Sequence, residues 1–311
     1  MSTEATAPPV SPAARSPRRR RQISGRERAD RRLGYVLVAP VVLLLALVTA
    51  YPLLYNLWNS FHEVNLGIAN SPEPWVGLKN YSAMFNSPEW IDALWKTGAF
   101  TAVSVALDTV AAIGLALMLN RKFWGRGFLR AAILVPWAVP TVVSAELWKT
   151  MIDPRAGFVD YTLGIHTTWL NGVWTSWIAV VVADAWKNVP FMAIILLAGL
   201  QVIPSEVYEA AKMDGAGPWQ SFRRMTLPLL KPALSVALIF RTLQAFLVFD
   251  VIYILTGGGP GTSTQTLSYL DWRTFLIDTN FGYGGAISIM LVIIALAIAG
   301  VYVKFMRAET T

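Results

Sequence analysis

The chain has 311 residues, 55% of them apolar and only 14% charged, and a formal net charge of +7. Soluble domains average about 25% charged residues, so an ordinary cytosolic enzyme is disfavoured and a membrane-embedded chain is expected. Cysteine is absent and histidine occurs only at His62 and His166, which excludes disulfide scaffolds, thiolate sites and a histidine-rich metal centre.

Taken in chain order, residues 1–32 come first. They hold nine arginines against Glu4, Glu27 and Asp30, and so supply most of the net charge. Pro, Ala and Ser dominate the rest, so this stretch cannot bury a core and is expected to be a disordered basic tail. A nucleic-acid arm is one reading of so many arginines. The apolar run that starts at Leu33 favours another, a cytoplasmic anchor ahead of a first span. That run is too long for a signal peptide, and no convincing cleavage site closes it.

A membrane-spanning helix needs about 20 mostly apolar residues. Six segments qualify: 34–59, 94–119, 128–148, 174–200, 233–255 and 284–305. Pro136 and Pro140 interrupt the third, which spans tolerate where neighbours satisfy the freed carbonyls. With the N-terminus inside, nineteen Lys and Arg fall in inside segments and five in outside ones, so both termini are expected in the cytoplasm. Trp58, Trp95, Trp148, Trp174 and Trp177 lie near predicted outer boundaries, as an interfacial aromatic belt would.

The connection at about 201–232 is the least ordinary part of the chain. Ser205, Glu206 and the small residues Ala210 and Ala211 suit a short helix. Asp214-Gly215 reads as its stop, and Pro218 as the first residue of the next helical segment. Physics alone leaves open an amphipathic helix lying on the membrane or a helix that docks into a partner's cleft. The run Glu209-Ala210-Ala211, then Asp214-Gly215-Ala216, Phe222, Leu227-Pro228 and Pro232, resembles the EAA signature of ATP-binding-cassette (ABC) importer permeases. The likeness extends over 33–311. LVPWAVP (134–140), ADAWKNVPFM (183–192), FRTLQAFLVFDVIYILTGGGPG (240–261) and GYGGAIS (282–288) are similar to the carbohydrate-uptake branch, to permeases like the maltose-transporter F subunit. The 240–261 stretch is most like permeases for trehalose or related alpha-glucosides.

The resemblance implies an all-α integral membrane protein with six transmembrane helices and the ABC type I importer permease fold, in a bacterial plasma membrane. It implies a basic tail at 1–32 and a permease domain at 33–311. It makes Glu209, Ala210, Ala211, Asp214, Gly215 and Ala216 the coupling segment, with Gly215 expected at positive φ. The implied partners are a second permease, two ATPase subunits that bind ATP and magnesium, an extracytoplasmic sugar-binding protein or lipoprotein, and membrane lipid. No cofactor is expected in this chain, and no nucleic acid. The two additional N-terminal spans and the large outer domain of the maltose-transporter subunit have no counterpart here, which places the chain nearer the minimal six-span form.

Asp108, Asp184, Lys187, Arg241 and Asp250 fall inside predicted spans, where a charge costs roughly 2.5–3.5 kcal/mol. Asp184, Lys187, Asn188 and Phe191 share one helix face, and Arg241 and Gln244 share another. The plainer reading is interhelical glue, such as Asp184 with Lys187 or Asp108 with Arg241. The functional reading is a sugar cavity, with Trp137, Trp186, Phe191 and Tyr253 as aromatic platforms. The resemblance places Asp184, Lys187, Asn188, Phe191, Arg241 and Gln244 on the substrate pathway. GGGPGTST (257–264) lacks the lysine of a phosphate-binding loop and reads as a turn. An ion-coupled secondary transporter remains the alternative, with Asp108 and Asp184 as ion carriers, although such proteins have no use for an EAA loop. A membrane-bound enzyme has no supporting motif.

Overall fold

The structure is a computed structural model that describes residues 25–67, 73–165 and 167–309. Residues 1–24 of the basic tail and His166 lie outside the described residues. The chain divides into two units, up to Pro52 and from Leu53 onward. The first unit is most of helix α1 (Gly25–Ser60), a 36-residue helix that starts inside the predicted tail and continues through Pro40 and Pro52.

The second unit is a helical bundle. Its centre is α3 (Pro88–Asn120) lying along α8 (Val173–Val202), with α11 (Leu227–Phe246) packed on both. The buried face of α3 runs Ala93, Thr97, Phe100, Ser104, Asp108, Ala112, Ala116 and Leu119. Three- and four-residue steps place these on one stripe, and the small ones, Ala93, Ser104, Ala112 and Ala116, let neighbouring backbones come close, the usual way helices associate in lipid. α8 and α11 come close at Gly199, where an added methyl would collide with Ala233 and stand 3.0 Å from Leu230. α3 begins earlier than hydropathy predicts, because Ser87 caps it, accepting from the Trp90 amide at 3.4 Å with Pro88 in the first turn.

Five described helices are long and apolar enough to cross a membrane; a sixth span is formed if a bent pair is counted as one. That pair corrects the expectation of a single span at 128–148. α4 (Arg126–Ile133) and α5 (Val135–Ala138) run to the break, then α6 (Thr141–Met151) leaves at 93°. Pro140 has no amide to donate and excludes Val139 from the helical region, so Val139 is extended, with ψ 134°.

The fifth span also differs from 233–255. Helical structure begins at Pro218, with α10 (Pro218–Ser221), passes through a π-helical stretch at Phe222–Thr226, and ends at Phe246. Beyond it the chain turns, and the Val248 carbonyl accepts from Thr266 Oγ1 at 3.2 Å. The 257–264 segment is a compact turn built around Thr264, whose hydroxyl donates to the Gly259 carbonyl at 2.8 Å. It is bound to the N-terminal ends of α3 and α8: Lys96 donates to the Thr262 carbonyl at 2.6 Å and Trp177 Nε1 to the Ser263 carbonyl at 3.1 Å.

After this loop α12 (Leu267–Leu276) packs on α13 (Phe281–Glu309). The GYGG stretch permits that approach. Gly284 faces the Phe275 ring, and a methyl at Gly285 would stand 2.8 Å from the Asn56 carbonyl oxygen. Asp271 of α12, which the sequence reading did not single out, accepts from the Ser288 hydroxyl at 2.9 and 3.0 Å. Burial raises its pKa to about 7, against the opposing pull of that hydrogen bond. The folded chain therefore keeps this proton where an unfolded one has lost it. Stability from this group falls as pH rises from about 4 to about 7 and is level above that. Asp271→Asn should remove the loss, so its advantage over wild type should grow by about 2 kcal/mol between about pH 5 and pH 8. Thermal unfolding at the two pH values checks this, and an advantage independent of pH would contradict it.

Candidate functional site: a polar cavity and a docking helix

The predicted face of α8 meets α3 and α11 at their middles. Arg241 on α11 is 3% exposed and ion-paired to both Asp108 on α3, which is fully buried, and Asp184 on α8, which is 8% exposed. Ser104 donates to Asp184 Oδ2 at 2.6 Å and accepts from Arg241 Nη2 at 2.5 Å. Asn188 donates to the carbonyl and to Oδ1 of Asp184, both at 3.0 Å. One guanidinium thus holds two carboxylates and ties three helices together. Buried in this way, such a cluster persists only when its members satisfy one another. Asp108 Oδ1 is the exception, buried without a hydrogen-bond partner.

The expected Asp108–Arg241 pair is therefore present. The expected Asp184–Lys187 pair is not, because Arg241 occupies Asp184. Lys187 instead donates to the carbonyls of Trp137, at 3.3 Å, and Val139. Those carbonyls end α5 and lose their helical amide partners at Pro140, and a helix C-terminus favours a cation. One turn further along α8, the Phe191 ring stacks on Trp137 at 4.8 Å and 8°. Lys187 and Phe191 together hold the bend of the broken span.

A cavity of about 470 Å³ opens beside this network, within the size range of small-molecule sites. Asp184, Lys187, Asn188, Arg241 and Gln244 all reach its wall, and Asp250 joins them from beyond the end of α11. Phe191 does not; it stands behind Trp137. Among the aromatic platforms expected, Trp137 lines the cavity, while Tyr253 packs behind Phe249 at 5.4 Å and Trp186 faces Trp148 at 6.2 Å. Phe249 is the ring that sequence reasoning missed; it lies within the motif quoted above, next to Asp250. The wall thus offers carboxylates that accept, an ammonium and an amide that donate, and two rings with apolar faces. Such a mixture suits a polyhydroxylated solute. Among the described residues no group of three His, Asp or Glu side chains is placed to hold a metal ion.

At the far end of the bundle from the 257–264 turn, α8 leads into α9 (Ser205–Met213). Its C-terminus is built as the sequence predicts. Gly215 has φ +75°, its amide donates to the Lys212 carbonyl at 3.0 Å, and the Ala216 amide donates to the Ala211 carbonyl at 2.9 Å. This is the paired 5→2 and 6→1 bonding of a Schellman cap, which requires a left-handed residue. Ala211 is buried, and Thr226 donates to the Tyr208 hydroxyl at 3.3 Å, which fastens α9 to the start of the fifth span. Glu209, Ala210, Lys212 and Met213 are exposed, Met213 by 89%. The helix therefore presents an exposed ridge, made mostly of long side chains, on a capped and packed mount.

A bundle of apolar helices long enough to span a membrane, with a polar cavity among them, defines a membrane permease as the class of protein. Residues 109–307 match the family model described as binding-protein-dependent transport system inner membrane component, and the chain belongs to that family. It is 41% identical over 283 residues to the trehalose/maltose transport system permease protein MalF of Thermococcus litoralis, covering 89% of this chain and 95% of that one. It is 39% identical to the trehalose transport system permease protein SugA of Mycobacterium tuberculosis, over 92% of each. It is 36% identical to the sulfoquinovosyl glycerol transport system permease protein SmoG of Agrobacterium fabrum, over 90% of this chain and 92% of that one. Among solved structures, a chain of a bacterial ABC transporter that imports alginate shares the fold, with TM-score 0.78, 23% identity, and coverage of 92% of this chain and 99% of that one. The protein is thus a multi-pass inner-membrane subunit of an ABC importer.

Proposed function

We propose that this chain forms half of the translocation path of an ATP-driven importer for a trehalose-like disaccharide or related alpha-glucoside. The observation that carries the substrate class is the cavity at the broken third span, where Asp184, Lys187, Gln244 and Asp250 surround the rings of Trp137 and Phe249. Relatives named for trehalose, maltose and sulfoquinovosyl glycerol transport support a glycoside. In this reading a second permease supplies the other half of the path, and an extracytoplasmic binding protein delivers the sugar. Glu209 to Ala216 seat in an ATPase subunit that binds ATP and magnesium. The charge asymmetry puts α9 and both termini on the cytoplasmic side.

The experiment is sugar uptake by the assembled transporter carrying Gln244→Ala. Gln244 is exposed in the cavity and stands outside the Arg241 network. Losing one hydrogen bond to the moving sugar costs about 1.5 kcal/mol, so uptake should fall about tenfold with normal protein level and melting temperature. Asn188→Ala should lower both uptake and stability, because Asn188 also satisfies Asp184. Unimpaired uptake in Gln244→Ala would move the sugar path to another face of the bundle.

A further inference from the structure

A second polar cavity, of about 420 Å³, lies where the end of α8 meets α9 and the turn between α3 and α4. Lys122, Arg126 and Arg130 reach its wall, with Gln201, Ser205 and Tyr208 opposite, and among the described residues no carboxylate lines it. Arg130 Nη2 donates to the Leu119 carbonyl at 3.0 Å, which closes the end of α3, but its Nε is buried without a hydrogen-bond partner. Two helices also begin here without a side-chain cap: α4 at Arg126, after Gly125 at φ +81°, and α9 at Ser205, after Pro204. Ser205 and Tyr208 add hydroxyl groups to the wall. Cations, uncapped helix amides and hydroxyl groups converge with no anion among them. A buried guanidinium N–H without an acceptor costs free energy until one arrives.

We infer that this cavity binds a phosphate group, against the base of the helix that couples the permease to its motor. The inference rests on the permease reading for which side of the membrane the cavity faces. On the cytoplasmic side it lies at the depth of lipid headgroups, where basic pockets between spans take anionic phospholipid. Free phosphate offers the same three features: negative charge, several acceptors, and a fit to guanidinium geometry. A bound phosphate draws Arg126 of the α3–α4 turn and Ser205 of α9 onto one ligand, and so makes the mount of α9 sensitive to the composition of the membrane or of the cytosol.

The test uses the full-length chain purified with its co-expressed transporter subunits, in nanodiscs of phosphatidylcholine with or without phosphatidylglycerol. Native mass spectrometry reads the retained lipid, and calorimetry with inorganic phosphate in phosphatidylcholine discs reads the soluble arm. Each basic side chain near the surface is worth about fivefold in affinity. The double variant Lys122→Gln/Arg126→Gln should therefore retain phosphatidylglycerol about twenty-five-fold less than wild type. The charge-conserving pair Lys122→Arg/Arg126→Lys should retain it normally, which separates lost charge from lost structure. Phosphate binding in the calorimeter, abolished by the double variant, supports the site with a soluble source. Binding in neither arm, or equal lipid retention by wild type and double variant with no phosphate binding that the double variant abolishes, overturns it. So does a crosslink from Lys122→Cys to the ATPase subunit that phosphatidylglycerol does not diminish, since the basic wall would then serve a protein contact. Sugar-stimulated ATP hydrolysis is read on the same discs. If wild type shows none, the transporter reading fails, while lipid retention still decides the cavity.

Discussion

Arg241→Met should remove most of the folded protein from the membrane. Asp108 and Asp184 would be left facing each other, one fully buried and the other nearly so, with Ser104 and Asn188 as their remaining donors. Stranding a buried charge in this way costs about 3–5 kcal/mol. That is a large fraction of the 5–15 kcal/mol that holds a typical protein folded. The triple variant Asp108→Leu/Asp184→Leu/Arg241→Met replaces the whole cluster with apolar groups. It should recover much of the stability, because an apolar replacement of a buried ion network is often neutral or better. It should not recover transport, since Asp184 and Arg241 also form part of the cavity wall. Melting temperature and uptake, measured side by side, separate the two roles of the cluster. A stable Arg241→Met protein would show that the network is not holding α3, α8 and α11 together.

Gly215→Val should do the reverse, leaving the bundle intact and stopping transport. No atom lies within 4 Å of where its side chain would begin, so no packing is disturbed. The cost is in the backbone, where a β-branched residue resists the left-handed region by about 1–2 kcal/mol. Relief comes most readily by unwinding the last turn of α9 and losing the Gly215–Lys212 and Ala216–Ala211 bonds. The ridge of Glu209, Ala210 and Met213 would then lose its fixed direction. Uptake should fall more than about tenfold, with protein level and melting temperature near wild type. Gly215→Asn, which tolerates the left-handed region, should fall between the two. Wild-type uptake in a well-expressed Gly215→Val variant would contradict the coupling role.

What was legible in the chain follows from which forces act locally. Hydropathy located the spans to within a few residues wherever a helix is both continuous and apolar, as in α8. The stop at Asp214-Gly215 and the restart at Pro218 were legible because left-handed glycine and first-turn proline are properties of single residues. The 93° bend was not. Pro140 announces that a helical hydrogen bond is missing, but the angle depends on what receives the freed carbonyls, here Lys187 from 48 residues away. The end of the fifth span at Phe246 was hidden because Val248 to Leu255 are as apolar as the helix before them. Val248, Val251, Ile252 and Leu255 are buried among the other helices, while Phe249 and Asp250 turn to the cavity and Tyr253 is exposed. The shared face of α8 was legible from its spacing, but the partners of Asp184 and Lys187 were not, because three helices compete for them. Asp271 escaped notice because α12 is too short to be read as a span, so nothing in the pattern marked it as half-buried against α13.

The most direct test of the account is uptake of labelled trehalose into proteoliposomes. They would contain this chain with its co-expressed permease and ATPase subunits, ATP trapped beside the ATPase, and the sugar-binding protein on the opposite side. Uptake should require ATP and the binding protein, and should survive dissipation of proton and sodium gradients. Uptake that proceeds without ATP and collapses with an ion gradient would contradict the account and make Asp108 and Asp184 candidates for ion carriers.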